Sequence, residues 1–90
     1  MRTVEVAFLI AKYREDTGNT SFTYRQLIEY ARKHRPDLHP NTIERCIRRL
    51  AEQGVLAKSY VRSRRYRKKI AVFQVTDELY RYLLYYGVRR

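Results

Sequence analysis

The side chains with the clearest chemical use in this sequence are cationic, and they fall into two groups. Three arginines lie close together in the middle of the chain, at Arg45, Arg48 and Arg49. The second group follows shortly afterwards and consists of Lys58, Arg62, Arg64, Arg65, Arg67, Lys68 and Lys69. A guanidinium group can donate paired hydrogen bonds to guanine or phosphate, and an ammonium group neutralises phosphate. These residue types therefore indicate binding of a polyanion.

The distribution of charge strengthens this interpretation. The 90 residues include 20 Lys and Arg against nine Asp and Glu, which gives a formal net charge of +11. Residues 58–69 carry seven of the cations and no acid. Such a balance favours a nucleic acid, an anionic membrane surface or an acidic protein as partner. No apolar run approaches the ~20 residues that a membrane-spanning helix needs, so we expect no membrane association.

The sequence offers little for catalysis or metal binding. Cys46 is the single cysteine, and His34 and His39 lack the spacing of metal ligands. No nucleophile–base pair or glycine-rich phosphate loop is visible. We therefore expect no enzymatic activity, no cofactor and no small-molecule effector. The N-terminus has no signal-peptide pattern, so the predicted location is intracellular and cytoplasmic.

The three central arginines fall on a predicted helix over residues 42–53. Its apolar positions recur at helical spacing, at Ile43, Cys46, Ile47, Leu50 and Ala51. We expect Asn41 to cap its start, with Glu44 completing a capping box. Gly54 fits the left-handed position that ends many helices. The helix is therefore predicted to bury one face and to expose an arginine-rich face.

The second cationic group lies in a predicted antiparallel hairpin over residues 55–76. Residues 55–62 alternate with period two, and residues 70–76 are rich in β-formers. The segment between them contains no Gly or Asn-Gly signal, so we expect a longer, mobile loop and not a two-residue turn.

Three further helices complete the prediction for a single domain over residues 1–90. They are expected over residues 4–16, 24–34 and 77–86, with Thr3, Thr23 and Thr76 as N-caps. A short strand at Ser21 and Phe22 precedes the second helix. Pro36 is expected to end that helix, and Leu38 is expected to be buried in the connection that follows.

This order of elements resembles the winged helix-turn-helix family of DNA-binding domains. The resemblance rests on FTYRQLIEYA as second helix, NTIERCIRRLAEQGVL as recognition helix with its exit into a strand, and the hairpin from Leu56 to Val75 as wing. It implies an α+β fold with a three-helix core, a two- to three-stranded antiparallel wing and a C-terminal fourth helix. Small archaeal and viral regulators are similar in style. The connection between the second and third helices, about six residues, is longer than the three to four of a tight helix-turn-helix.

The resemblance implies that the third helix enters the major groove of double-stranded DNA and that the wing contacts the backbone or the minor groove. The protein is then expected to be a sequence-specific transcriptional regulator. The candidate DNA-binding residues are Asn41, Thr42, Arg45, Arg48 and Arg49 in the helix, and Lys58, Tyr60, Arg62, Arg64, Arg65, Tyr66, Arg67, Lys68 and Lys69 in the wing.

A homodimer is also expected, because the first helix is apolar on most faces and needs a second covering surface. The predicted dimer interface consists of Val6, Leu9, Ile10, Tyr13, Tyr82, Tyr85 and Tyr86. Two recognition helices would then meet successive major grooves on a near-palindromic site.

Other interpretations stay open at this point. An RNA-binding or ribonucleoprotein module, a non-specific architectural DNA binder and an adaptor for an acidic protein would each use the same basic hairpin. The arginines of the third helix could also form a solvated face, paired as Glu44 with Arg48 and Arg48 with Glu52. The tyrosines of the last helix are expected to serve the core and an interface, with a base-stacking platform as the less favoured alternative.

Overall fold

The computed structural model describes residues 2–65 and 67–87. Within these residues four α-helices and a three-stranded antiparallel sheet form an α+β arrangement, which confirms the predicted fold class at that level. The elements in chain order are α1 (Arg2–Thr17), β1 (Ser21–Phe22), α2 (Tyr24–His34), α3 (Pro40–Glu52), β2 (Leu56–Ser63), β3 (Lys68–Val75) and α4 (Asp77–Tyr82), followed by a π-helical turn (Leu83–Gly87). In the part of the chain so described, no helix has the length and apolar character needed to cross a membrane.

The sheet has the strand order β1-β3-β2, so β3 lies in the middle. β2 and β3 pair without interruption from Leu56 opposite Val75 to Ser63 opposite Lys68. β1 pairs with only two residues of β3, because Ser21 lies opposite Gln74 and Phe22 opposite Phe73. The sheet is therefore three strands wide at its base and a two-stranded hairpin beyond it.

Helix α1 runs through the middle of the core. It packs against α2, α3, β3, α4 and the π-helical turn, so most of its apolar side chains are covered by its own chain. The prediction of a dimer interface is wrong for four residues, which are buried within one protomer: Val6, Leu9, Ile10 and Tyr13. A side chain that the chain itself removes from water offers no apolar area to a second protomer.

Two residues that were expected in the core are there. Leu38, from the connection between α2 and α3, is buried, as is the lone Cys46 of α3. The connection spans residues 35–39, and Arg35 ties it to α1 through its Nη2 atom, which lies 3.3 Å from Glu5 Oε1.

Local capping fixes most helix starts. Thr23 and Gln26 form the predicted capping box at α2, and the Thr76 hydroxyl accepts a hydrogen bond from the Glu78 N–H at α4. The predicted cap of α3 is wrong: His39 is the N-cap, and its Nδ1 accepts from the Asn41 N–H at 3.1 Å. Pro40 occupies the first turn, where a missing N–H costs nothing, and this moves the helix start back from Asn41.

Thr3 likewise does not cap α1, because the helix already includes Arg2. The Thr3 side chain is buried instead, and its hydroxyl lies 3.9 Å from Cys46 Sγ on α3. This contact is one of those that hold α1 against α3.

The end of α3 sets the direction of the hairpin. Gly54 has φ +78°, as predicted, and its N–H donates to the Ala51 carbonyl while the Val55 N–H donates to the Leu50 carbonyl. This pair of bonds is the Schellman arrangement, which satisfies the last helical carbonyls and turns the chain sharply. α3 therefore passes into β2 within three residues.

Candidate nucleic-acid interface

The exposed face of α3 carries the first group of cations. Arg45, Arg48 and Arg49 are exposed, as predicted, and Asn41 is exposed beside them. The apolar stripe on the opposite side is buried at Ile43, Cys46, Ile47 and Leu50. Because successive residues are about 100° apart around a helix, the three guanidinium groups spread over one continuous surface.

The three arginines do not have the same surroundings. Arg48 Nη2 lies 3.4 Å from Glu44 Oε1, one turn earlier, so that one of the two pairs expected of a solvated face is present. Within residues 2–65 and 67–87 no acid forms an ion pair with Arg45 or Arg49, and none pairs Arg48 with Glu52. The unpaired cations of this surface therefore lie on the side of α3 that carries Arg45 and Arg49.

That side of α3 borders a groove against the start of α1. The residues that line it are Arg2, Thr3, Thr42, Arg45, Cys46 and Arg49. Arg2 was not among the predicted residues, and it adds a third guanidinium to the groove. It also lies 3.3 Å from Glu5 and 3.6 Å from Asp37, so it belongs to a network of ion pairs at the edge of the groove. No local spacing signals this residue, because only the packing of α1 on α3 brings it there.

The hairpin presents three of its charged side chains, Lys58, Arg62 and Lys69, on one face. Side chains that lie directly opposite in an antiparallel pair point to the same face. Lys58 lies opposite Phe73, Tyr60 opposite Ala71 and Arg62 opposite Lys69. Since Phe73 points into the core, this face is the one that continues from the body of the protein towards α2 and α3.

Lys58 is the first cation of the hairpin after the end of α3. Its ammonium group lies 5.2 Å from the centroid of the Tyr60 ring and 6.0 Å from that of Phe73. Hydrogen bonding to Tyr60 raises the pKa of Lys58, and the nearby positive charge of Arg48 opposes this rise. Since α3 leads through Gly54 into β2, the cations of the hairpin begin a few residues after those of α3.

Tyr24, at the start of α2, is a second residue at this junction that the sequence did not single out. Its ring packs edge-on against Phe73, with 4.8 Å between centroids, and its phenol adds to the rise in the pKa of Lys58. Its place beside the hairpin depends on the pairing of β1 with β3, which no local pattern reveals.

The outer part of the hairpin projects from the body. In β2 only Leu56 is buried, and the rest of the strand is exposed or half-buried, so its alternating pattern does not produce a covered face. Four residues, 64–67, join Ser63 to Lys68, in agreement with the prediction that no two-residue turn forms. Arg64, Arg65 and Arg67 are exposed at this tip, and Arg67 has φ +50°. The predicted site residue Tyr66 lies outside the described residues.

The predicted interface tyrosines lie on the C-terminal helix. Tyr82 is half-buried, and burial raises its pKa, whereas Tyr85 and Tyr86 are exposed. The rings of Tyr82 and Tyr86 are inclined by 44° and those of Tyr85 and Tyr86 by 73°, so these three rings do not make a flat platform for bases.

Two further apolar side chains lie near these tyrosines and were not predicted as interface residues. Leu84 is 70% exposed and Phe8, on α1, is 46% exposed. The Phe8 ring lies so close to Gly87 that a Cβ there would be 2.6 Å from its tip. Phe8 therefore extends the exposed apolar surface of the π-helical turn onto α1.

The chemistry available at the site is that of ionic and hydrogen-bond contacts. In the described ranges no three His, Cys, Asp or Glu side chains gather in a way that could hold a metal ion. His39 is engaged as the cap of α3, and Cys46 lies at the floor of the groove beside Arg45 and Arg49. The arrangement is thus a basic surface of long cationic side chains with a shallow groove at one end.

The domain family DUF7669, described as a domain of unknown function, matches residues 6–81. This match extends from α1 into α4, and the chain belongs to that family. No curated protein and no solved structure matches the chain. The family description assigns no activity, so the functional argument rests on the basic surface itself.

Proposed function

We propose that this member of the DUF7669 family binds double-stranded DNA in a sequence-specific manner and acts as a transcriptional regulator. The observation that carries the proposal is the junction of two cationic elements. The exposed arginines of α3 and the charged face of the hairpin are joined by only three residues, 53–55, because α3 passes through Gly54 directly into β2. Together they place cations on two adjoining elements of a protein that measures 44 Å along its longest axis.

The order and connections of the elements support a winged-helix arrangement. A short strand enters α2, a connection of five residues leads to α3, and α3 passes through Gly54 into a hairpin that joins the short strand in one sheet. In a winged helix the third helix reads bases and the hairpin contacts the adjacent backbone. The positions of the cations on α3 and on the hairpin agree with that division of roles.

In this proposal α3 lies in the major groove, which is about 12 Å wide and admits a helix. Arg45 and Arg49 read bases, because their guanidinium groups are exposed and have no carboxylate partner in the described part of the chain. Asn41 and Thr42 contact a base or a phosphate at the start of the helix. Bidentate contact of arginine with guanine is the commonest specific contact of this kind.

The hairpin supplies affinity by neutralising phosphates. Lys58, Arg62 and Lys69 share its charged face, and the tip adds Arg64, Arg65 and Arg67. Contacts to phosphate position a protein on DNA but carry no sequence information. They also make binding strongly dependent on salt, because each neutralised phosphate releases counterions.

The proposed regulator acts as a homodimer that meets two half-sites. Its interface consists of exposed apolar side chains of α1 and the C-terminal helical turns: Phe8, Leu84, Tyr85 and Tyr86. Exposed apolar clusters of this kind mark surfaces for protein association. A two-fold axis through this surface would relate two copies of α3.

The test is selection of bound sequences from a randomised pool of DNA duplexes. The affinity of the protein for the duplexes is measured by fluorescence anisotropy across a series of salt concentrations. We expect enrichment of a two-fold-related motif that binds about 10³-fold more tightly than the pool. Steep salt dependence without any motif would instead identify an architectural DNA binder. Tight binding to a structured RNA that survives excess duplex would overturn the proposal in favour of an RNA-binding module.

A further inference from the structure

One edge of the central strand has no neighbour over more than half of its length. β1 pairs only with Phe73 and Gln74, and the Thr20 carbonyl accepts the N–H of Val75. Residues 68–72 of β3 therefore have β2 on one side and, among the described residues, no strand on the other. The backbone groups that point away from β2 along this stretch are available to a further strand.

The open edge lies at the side of a groove. Its walls are formed by the start of α2, at Thr23, Tyr24 and Arg25, and by β3, at Lys68, Ile70 and Ala71. Apolar atoms from Ile70, Ala71 and the Tyr24 ring make up much of this lining. A strand bound here would continue the line of β1 along β3 and would bury those apolar groups.

The strand β3 lacks two of the features that commonly block such an edge, proline and a bulge. It contains no proline, and its register with β2 is continuous from Lys68 to Val75, so it contains no bulge. On the face of the hairpin turned away from the core, Val61 lies opposite Ile70 and is 54% exposed. Natural edges are commonly protected by prolines, bulges or charged side chains, and of these the open stretch has only the lysines at its outer end, Lys68 and Lys69. Ile70 and Ala71 of the open stretch are aliphatic, which favours pairing with a further strand.

The charge around the groove defines the kind of partner. The charged residues that line it, Arg25 and Lys68, are both cationic, and they lie beside a hairpin that carries seven cations in residues 58–69. An extended segment with acidic side chains would be complementary to this rim. A second copy of the chain would instead add a further net charge of +11 to the same surface.

We infer that residues 68–72 of β3 form a docking site for an extended acidic segment of a partner protein, which adds as a fourth strand between β3 and the start of α2. Main-chain hydrogen bonds to β3 supply affinity in this mode, and side-chain contacts in the groove supply selectivity. The inference goes beyond the proposed DNA binding and does not depend on it.

The experiment uses the full chain and a short capped peptide of alternating valine and glutamate, labelled with a fluorophore. We expect saturable binding by anisotropy, and slower hydrogen exchange within residues 68–72 when the peptide is present, at the amides of residues 69 and 71, which point away from β2. Arg25→Glu should weaken the peptide about fivefold, because it reverses a cation of the groove. Arg32→Glu is the matched control, since it makes the same charge change on the same helix away from the groove.

A second peptide separates strand pairing from charge attraction. It has the same sequence with alternate backbone nitrogens methylated, so it keeps its charge but loses the donors that a strand needs. Equal binding of both peptides would overturn the inference, as would exchange at residues 68–72 that the first peptide leaves unchanged. Thermal unfolding of Arg25→Glu confirms that the variant is folded.

Two other occupants of the edge would also overturn the inference. Protection of residues 68–72 that rises with protein concentration alone would assign the edge to a second copy of the chain. If duplex DNA protects the same amides and Arg25→Glu weakens DNA as much as it weakens the peptide, the groove belongs to the nucleic-acid surface. A chain that binds no DNA leaves the peptide experiment interpretable, so the two proposals fail separately.

Discussion

Arg48 Nη2 lies 3.4 Å from Glu44 Oε1, one turn earlier on α3, and this pair places a carboxylate on the surface proposed to face DNA. The negative charge offsets part of the attraction that Arg48 exerts on phosphate. Glu44→Gln should therefore strengthen binding to duplex DNA of any sequence. Since one more cation becomes available, the slope of log K against log salt should steepen by about 0.9. Anisotropy titrations at several salt concentrations measure both effects.

The control for this variant is Glu78→Gln, which breaks the ion pair with Arg81 on α4, away from the basic surface. It makes the same charge change and should leave the slope as it is in the wild type. A weaker complex with Glu44→Gln would show that the carboxylate itself makes a favourable contact, such as acceptance of a hydrogen bond from cytosine.

Arg45 and Arg49 are predicted to carry base recognition. Changing either residue to alanine should cost about 1–3 kcal/mol at the selected site and should relax base preference at one position. Binding to unrelated sequences should fall much less. Competition titrations with the selected duplex and with single-base variants measure the difference, and Arg32→Ala on the exposed side of α2 is the control.

Lys68 and Arg65 are predicted to contact phosphate. Alanine at either position should weaken binding to all sequences alike and should reduce the magnitude of the salt slope by about one for each residue. If these two variants and the two of α3 had the same effect on base preference, the division between a reading helix and an anchoring hairpin would be incorrect.

The elements that the sequence predicted well are those fixed by neighbouring residues. Thr23 and Gln26 form the capping box because both partners lie within one helical turn. Gly54 takes the left-handed conformation because the last turn of α3 requires it there. The cap of α3 shows the limit of this reasoning. The N-cap is His39, two residues before the predicted cap Asn41, because proline is favoured in the first helical turn and Pro40 begins the helix.

The features that were missed depend on contacts between distant parts of the chain. The apolar circumference of α1 was interpreted as a need for a second protomer, but the other helices, β3 and the π-helical turn cover most of it. Arg2 and Tyr24 reach the basic surface only because α1 packs on α3 and β1 pairs with β3. Residue spacing along one helix does not contain this information.

Dimerisation is predicted to depend on Leu84, which is 70% exposed on the π-helical turn. If each protomer buries this side chain in the dimer, replacing it with a charged residue should cost about 1.5–3 kcal/mol of association free energy per protomer. Leu84→Glu should therefore shift the light-scattering mass from dimer to monomer at tens of micromolar. Arg81→Gln, on the preceding turn, changes the net charge by the same single unit and is the control. A wild-type protein that is already a monomer at that concentration would remove the proposed dimer.

Acid stability is predicted to depend on Asp37, which holds the connection between α2 and α3. Its carboxylate accepts hydrogen bonds from Arg35 Nε at 3.0 Å and from Arg35 Nη2 at 2.9 Å, and Arg35 also reaches Glu5 on α1. Hydrogen bonding from Arg35 lowers the pKa of Asp37 to about 2, from an ordinary value of 3.8. The folded state therefore binds the proton less readily than the unfolded chain does. The stabilising contribution is present above about pH 4 and is lost as the pH falls towards 2.

Asp37→Asn should lower the melting temperature modestly at neutral pH and should make its decline between pH 4 and pH 2 shallower than that of the wild type. Thermal unfolding followed by circular dichroism across this range measures the effect. Glu29→Gln removes an exposed pair with Arg25 on α2 and serves as the matched control. Because the asparagine amide does not titrate in this range, parallel curves for wild type and Asp37→Asn would mean that the Arg35 contact does not persist in solution.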